Sequence, residues 1–426
     1  MMISDVKTKL ITEYQKLDED FNTHTDSSYQ YLVNFSQTKN EPISRWFYYV
    51  EGYSPELVKK ILDHIDKNDN NCVVFDPFAG SGTTLLSSKI MGMKSIGFEL
   101  NPFSAFIIKT KTQNYTNLDI ENVRNFKIPS FVPINDVYDK YELRIIKNLF
   151  NETTLIKIEL LKKKIFETTS GKSRDLLFLA LLSILEGVSN YRKGGNGLKK
   201  KKIQKDFDVF EEFDIKRKLI IDDLKDVKHG MEPTLINDSC LNMLNYEIGT
   251  FDVSIFSPPY ANCFDPFEVY KIELWIGEFV KSYSELRNKR KQALTSNLNA
   301  NVKKEITSHH QTQILEDIID YLNGQKLWDK RIPKMIDTYF FEMKHLLEMI
   351  YSKTKVGGYC IIVVGNSAYG HLAIPTDIIL AQLGKEVGFT VSEIIVARKN
   401  ETSSQQYDKI GGFIEYIRES LVVLKK

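Results

Sequence analysis

Asp76-Pro77-Phe78-Ala79-Gly80-Ser81-Gly82-Thr83-Thr84 decides the fold of this chain. The stretch follows an apolar run at 72–75 and leads into a helical pattern at 83–91. Gly80 and Gly82 permit a tight turn and let the backbone approach a ligand with no Cβ in the way. Asp76, at the carboxyl end of the strand, is placed to accept hydrogen bonds from an ammonium group. Thr83 opens a helix whose first N–H groups are free for a ligand.

Working outward, further strand-like runs fall at 95–98, 234–236, 253–256, 359–364, 391–397 and 421–424. Helical periodicity occupies 55–65, 336–350 and 375–387. Strand alternating with helix predicts an α/β fold: a mostly parallel seven-stranded sheet, helices on both faces, and ligands at the carboxyl ends of the strands. The last run, 421–424, follows its predecessor across a loop and is expected to return antiparallel. Two long segments, 114–230 and 264–330, interrupt the alternation as helical insertions. Insertions of that length usually carry function.

The ends of the second and third strands add two more acids. Glu99, in Phe98-Glu99-Leu100-Asn101-Pro102, stands where nucleoside-binding α/β sheets hold ribose hydroxyls. Asp238, in Asn237-Asp238-Ser239, is placed to accept an adenine amino group. A pyrophosphate cofactor is disfavoured, because the turn is Gly-Ser-Gly without a following Gly-Lys-[Ser/Thr], and Asp76 would repel a phosphate. A zwitterionic amino-acid nucleoside, S-adenosylmethionine, suits these charges. Glu99, Asp238 and Asp76, with Phe78, Gly80, Gly82, Thr83 and Asn101 around them, are the candidate donor-site residues.

The fourth strand delivers Ser257-Pro258-Pro259-Tyr260 to the same edge of the sheet. An aromatic amine is a poor nucleophile, since its lone pair is delocalised into the ring. The Ser257 hydroxyl and the Pro258 carbonyl could each accept one amine hydrogen, with Pro259 keeping that carbonyl rigid. Accepting both hydrogens favours a tetrahedral nitrogen able to attack a methyl group in line. Tyr260 offers a ring face to a base extruded from a duplex.

Composition sets limits on the class. The chain has 426 residues, with 42% hydrophobic, 12% aromatic and 27% charged residues, which is an ordinary globular make-up. Its net charge of +1 hides two basic clusters, Lys-Gly-Gly-Asn-Gly-Leu-Lys-Lys-Lys-Lys at 193–202 and Arg-Asn-Lys-Arg-Lys at 287–291. Cys72, Cys240, Cys263 and Cys360 form no C-x-x-C and read as reduced thiols of a cytoplasmic protein. His309-His310 is the one adjacent histidine pair; nothing has zinc-ligand spacing, and no metal is expected. The start of the chain lacks a signal-peptide core, and the longest apolar stretch, 176–185, is too short to cross a bilayer.

These motifs together resemble the S-adenosylmethionine-dependent DNA amino-methyltransferases of restriction–modification systems. The resemblance covers 76–101, Ser257–Tyr260, and a C-terminal part made of 356–367, 374–377 and 418–420. Residues 47–57, with Tyr53 and Ser54, are similar to the family motif that packs on the methionine part of the donor. A Rossmann-like methyltransferase fold is implied. Serine before Pro-Pro-Tyr is typical of members that methylate cytosine N4, whereas Asp or Asn is more usual for adenine N6. Here the donor motif precedes the acceptor motif, while many relatives with this donor spelling have the reverse order.

The resemblance implies double-stranded DNA with a flipped target base as partner and a separate cognate restriction endonuclease. The chain then divides into an N-terminal extension (1–45), the donor-binding half (46–113), a helical insertion (114–230), the acceptor strands (231–263), a second insertion (264–330) and the C-terminal part of the methyltransferase domain (331–426). DNA contacts are expected in the insertions, from Arg192, Lys193, Lys199 and Lys200 in the first and Arg287, Lys289 and Arg290 in the second. The same chemistry on adenine N6, on an amine in RNA or on a protein glutamine amide remains open, as does a non-catalytic nucleic-acid-binding module.

Overall fold

The structure is a computed structural model that describes residues 3–426 except 50, 196, 204–206, 226–228, 301, 303–311 and 401–409. The histidine pair His309-His310 lies outside the described residues. In chain order the strands are β1 (Thr23–Thr25), β2 (Val73–Asp76), β3 (Lys94–Phe98), β4 (Tyr191–Gly194), β5 (Gly197–Lys200), β6 (Thr234–Ile236), β7 (Phe251–Phe256), β8 (Thr354–Gly365), β9 (Ser367–Tyr369), β10 (Leu372–Ile374), β11 (Thr390–Lys399) and β12 (Arg418–Lys425).

Eight of them form one sheet in the order β1-β11-β12-β8-β7-β2-β3-β6. β2 pairs parallel with both β3 and β7, β3 with β6, β7 with β8, and β1 with β11. β12 runs antiparallel to both β8 and β11. The sheet is thus Rossmann-like and mostly parallel, with the last strand reversed. β1 adds an eighth, edge strand to the seven read from the sequence. Its Thr-His-Thr is too short and too polar to carry a strand signal, and it exists because β11 offers it a ladder.

Alternation along the strands builds a core on each face. Phe75, Phe251, Cys360, Ile362 and Val422 point to one side, where the helices Gln313–Asn323, Ile332–Lys353 and Thr376–Val387 pack. Val74, Val253, Ile255, Ile361 and Val423 point to the other, against the helix Pro55–His64. The rings of Phe75 and Phe251 stack at 4.5 Å across β2 and β7. Truncating either to alanine is the kind of change that costs about 3–5 kcal/mol.

A third, helical core belongs to the first insertion. Helices Glu152–Thr168, Gly171–Val188 and Val209–Leu224 pack with Trp46, Phe103 and the residues from Phe267 to Leu286. The stretch 264–330 is therefore shared between cores: Phe267 to Leu286 join the helical one, while Leu294 and Ile314 to Leu322 join the sheet. The N-terminal helix, Ile3–Asp20, buries Leu10 and Tyr14 on the sheet core, and Tyr14 Oη donates to Ala373 O at 2.9 Å.

Chain order along the sheet reverses between β2 and β7: β3 and β6 lie to one side, β8 to the other. A crevice opens at the carboxyl ends of such a switch point. The loops after β2 and β7 carry the two motifs and flank it.

Candidate active site

One cavity of about 480 Å³ spans that crevice, and both motifs line it. Asp76, Phe78, Gly80, Thr83, Glu99, Asn101, Asp238 and Tyr53 line its walls together with Ser257, Pro258, Pro259 and Tyr260. Two residues grouped with the donor site do not. Ser54 is fully buried and its hydroxyl caps the helix Pro55–His64 by accepting from Leu57 N. Gly82 serves the turn: its φ is +83°, and an added Cβ would meet Ile108 at 3.1 Å.

The donor end is held by short-range hydrogen bonds. Asp76 accepts from Phe78 N at 2.9 Å. Burial pushes its carboxyl up to about 7, against hydrogen bonds from Thr84, Phe78 N–H and Tyr53. Glu99 accepts from Gly80 N at 2.8 Å and Asn101 N at 2.7 Å. Burial raises it to about 7 as well, opposed by those N–H groups and assisted by the nearby charge of Asp76. Burial would also raise Asp238, but Tyr246, Ser239 N–H, Asn242 and Lys289 hold it below the usual range. Asn101 Oδ1 caps the helix Pro102–Thr112, while its Nδ2 is buried without a partner.

That orphaned donor, two carboxyls destabilised by burial and a backbone turn open at Gly80 fit a cationic, hydroxyl-rich ligand such as S-adenosylmethionine. A buried carboxylate gains most from a cation that replaces lost water. A buried amide N–H₂ with no partner is a vacancy for an acceptor atom.

The acceptor end is assembled from distant strands. Tyr260 Oη donates to Glu419 Oε1 at 2.9 Å and lies 3.4 Å from Ser257 Oγ. Arg398 grips the other oxygen of Glu419 at 2.6 and 2.8 Å. Glu51, also on the cavity wall, is pushed up to about 7 by burial, with Tyr270 Oη donating to it at 2.8 Å. The rings of Tyr49 and Tyr270 stack at 4.6 Å beneath it. Glu419, Arg398, Glu51 and Tyr270 escaped sequence reading. Two of them had a signal: Glu51 inside the 47–57 segment, and Glu419 as the middle residue of the C-terminal Arg418-Glu419-Ser420, whose neighbour Arg418 is buried against Asp377 and Asp18.

The basic clusters divide. β4 and β5 form an antiparallel hairpin whose tip residue Gly195 reaches the cavity. Arg192, Lys199 and Lys200 are exposed on it. Lys193 is a correction: it is buried, 2.5 Å from Glu273 and 3.3 Å from Glu186, with Phe47 and Tyr270 rings 4.9 Å away. Arg290 is a second correction, since its guanidinium pairs with Asp265 at 2.8 Å and Glu268 at 2.9 Å. Strand and helix periodicity turn these two inward, so neither is free for phosphate. Arg287 is exposed and Lys289 partly so at the end of the helix Tyr283–Gln292.

Among the described residues no group of three or more His, Cys, Asp or Glu is placed to hold a metal ion. No helix among them is long and apolar enough to cross a membrane. All four cysteines are free thiols.

A family model described as DNA methylase matches residues 5–110. Over most of its length the chain is similar to curated proteins. It is 27% identical to the type II methyltransferase M.BsoBI of Geobacillus stearothermophilus, covering 94% of this chain and 89% of that protein. It is 28% identical to the type II methyltransferase M.AvaI of Nostoc sp., covering 88% and 85%. With the type II methyltransferase M.MvaI of Kocuria varians the identity is 21% over 97% of both chains.

Proposed function

We propose, from its similarity to type II methyltransferases and from the geometry of the cavity, that this chain transfers a methyl group from S-adenosylmethionine to the exocyclic N4 amine of cytosine within a defined DNA sequence. The observation that carries the reading is the shared cavity: the acids after β2, β3 and β6 and the Ser-Pro-Pro-Tyr loop after β7 face one volume.

Asp76 would hold the ammonium of the donor, Glu99 its ribose hydroxyls, and Asp238 with Asn101 its base. The donor supplies a methyl group made electrophilic by its sulfonium. The Ser257 hydroxyl and the Pro258 carbonyl accept hydrogen bonds from the two amine hydrogens, one of which leaves as a proton once the methyl group has transferred, and Tyr260 bears against the target ring. A base inside a duplex cannot reach this crevice, so it has to be flipped out. The exposed cations Arg192, Lys199 and Lys200 on the hairpin, and Arg287 with Lys289 on the neighbouring helix, would track phosphates at the cavity rim. The protein would act in the cytoplasm, protecting sites that a separate cognate endonuclease cuts.

The choice of cytosine rests on Ser257. Incubation with labelled donor and DNA, followed by identification of the modified nucleoside, tests the proposal. Label in N4-methylcytosine is expected; label in N6-methyladenine, or only in RNA, would overturn the choice of base or substrate.

A further inference from the structure

Four side chains drawn from two strand ends and one loop form a single hydrogen-bonded chain at the acceptor end. Ser257 Oγ lies 3.4 Å from Tyr260 Oη, which lies 2.9 Å from Glu419 Oε1, and Arg398 binds Glu419 Oε2 through Nε at 2.8 Å and Nη2 at 2.6 Å. Register fixes the far end: Glu419 on β12 stands opposite Gly365 on β8. Gly365 also makes room for the tyrosine, since a Cβ there would fall 2.8 Å from the Tyr260 ring. Burial first, and then the charge of Glu419, raise the Tyr260 phenol far above its ordinary value, so it keeps its proton.

We propose that Glu419 is a positioning residue that sets the direction of this chain and thereby turns the lone pairs of Ser257 toward the target amine. The role rests on the acceptor-loop reading above. It follows from counting protons. A carboxylate gripped by a guanidinium can only accept, so Tyr260 must give its one proton to Glu419. The phenol oxygen then has lone pairs alone to offer Ser257. Ser257 gives its one proton to Tyr260 and is left with lone pairs for an amine N–H. Were the chain reversed, Tyr260 would donate to Ser257, and the serine proton would be free to point at the amine and oppose its approach. Hydrogen bonds in such a chain polarise one another, so its direction is set as a unit.

Glu419→Gln tests this, because the isostere keeps shape and inverts polarity. Arg398 would donate to the amide oxygen, turning the amide N–H₂ toward Tyr260 and reversing the chain. With thermal midpoints and donor and DNA affinities near wild type, Glu419→Gln is expected to lose roughly 10²-fold or more in turnover, on the scale of one misplaced transition-state hydrogen bond. Glu419→Ala, which leaves room for water to accept from Tyr260, should lose less. In a Tyr260→Phe background, where the chain is already cut, Glu419→Gln should cost nothing further. A donor-free readout is the ¹⁵N-labelled target amine in DNA: its proton resonance should move downfield on binding wild type and not on binding Glu419→Gln. Turnover for Glu419→Gln equal to or above that of Glu419→Ala, or an undiminished loss in the Tyr260→Phe background, would overturn the role alone. A wild type that transfers no methyl group to any nucleic-acid amine would overturn the acceptor reading and this role with it.

Discussion

The two ends of the cavity are built on different length scales. At the donor end Glu99 meets Gly80 only 19 residues away, and Asp76 and Phe78 are two apart. At the acceptor end Tyr260 finds Glu419 across 159 residues, and Glu419 is set in place by pairing of β12 with β8. A strand–turn–helix unit can place its own ligand groups, whereas an acceptor pocket has to be closed by whatever strands the sheet brings alongside. One end is a motif; the other is a product of topology.

The largest effect should come from the buried pair that ties the hairpin to the helix Lys271–Ile276 of the helical core. Lys193→Met leaves Glu273, which is fully buried, without its cation, and should destabilise the protein by about 3–5 kcal/mol in chemical denaturation. Adding Glu273→Met should recover most of the loss. If the single variant is as stable as wild type, the hairpin is not anchored through this pair.

Ser257→Ala should separate the ends functionally. Turnover is expected to fall by roughly 10²–10³-fold with donor affinity kept, as when one group is removed from a transition-state hydrogen-bond site. Asp76→Ala should do the converse, weakening donor binding by about 10–100-fold, the worth of a charge-assisted hydrogen bond, as read by titration calorimetry. Equal loss of donor affinity in both variants would erase the distinction.

Proton linkage sharpens the donor end further. Asp76 and Glu99 lie at about 7 in the folded protein against ordinary values of 3.8 and 4.5. The native state therefore keeps protons that the unfolded chain has released, so donor-free stability should fall as pH rises from about 4 to about 7. A cationic donor favours the ionised Asp76, so its affinity should climb through the same window. Asp76→Asn should flatten both trends in thermal shift assays across pH; a slope unchanged in that variant would remove Asp76 from the explanation.

The smallest effects belong to the rim. Lys199→Ala and Lys200→Ala should each lower the salt slope of DNA binding by about 1 while leaving turnover at saturating DNA unchanged. A change in turnover instead would move these lysines from the rim into the acceptor end.

Legibility followed the same division. The runs around β2, β3, β7 and β8 are apolar because both faces of those strands are buried, so periodicity located them. β1 was silent, since Thr-His-Thr owes its state to β11 and to nothing in its own residues. The cation-rich loop at 193–202 showed charge without direction; only pairing of β4 with β5 decided that Lys193 faces Glu273 while Lys199 and Lys200 face out.

By itself the sequence determined the α/β alternation, the turn at Gly80 and Gly82, the three acids at strand ends and the Ser-Pro-Pro-Tyr loop. Each of these depends on groups within a few residues of one another, where backbone geometry follows from residue type. Tertiary structure alone decided that the acids and the loop share one cavity, that Glu419 and Arg398 close it, and which basic residues reach solvent. Those outcomes depend on strand order and register, which place residues hundreds of positions apart within hydrogen-bonding distance and leave no local trace in the chain.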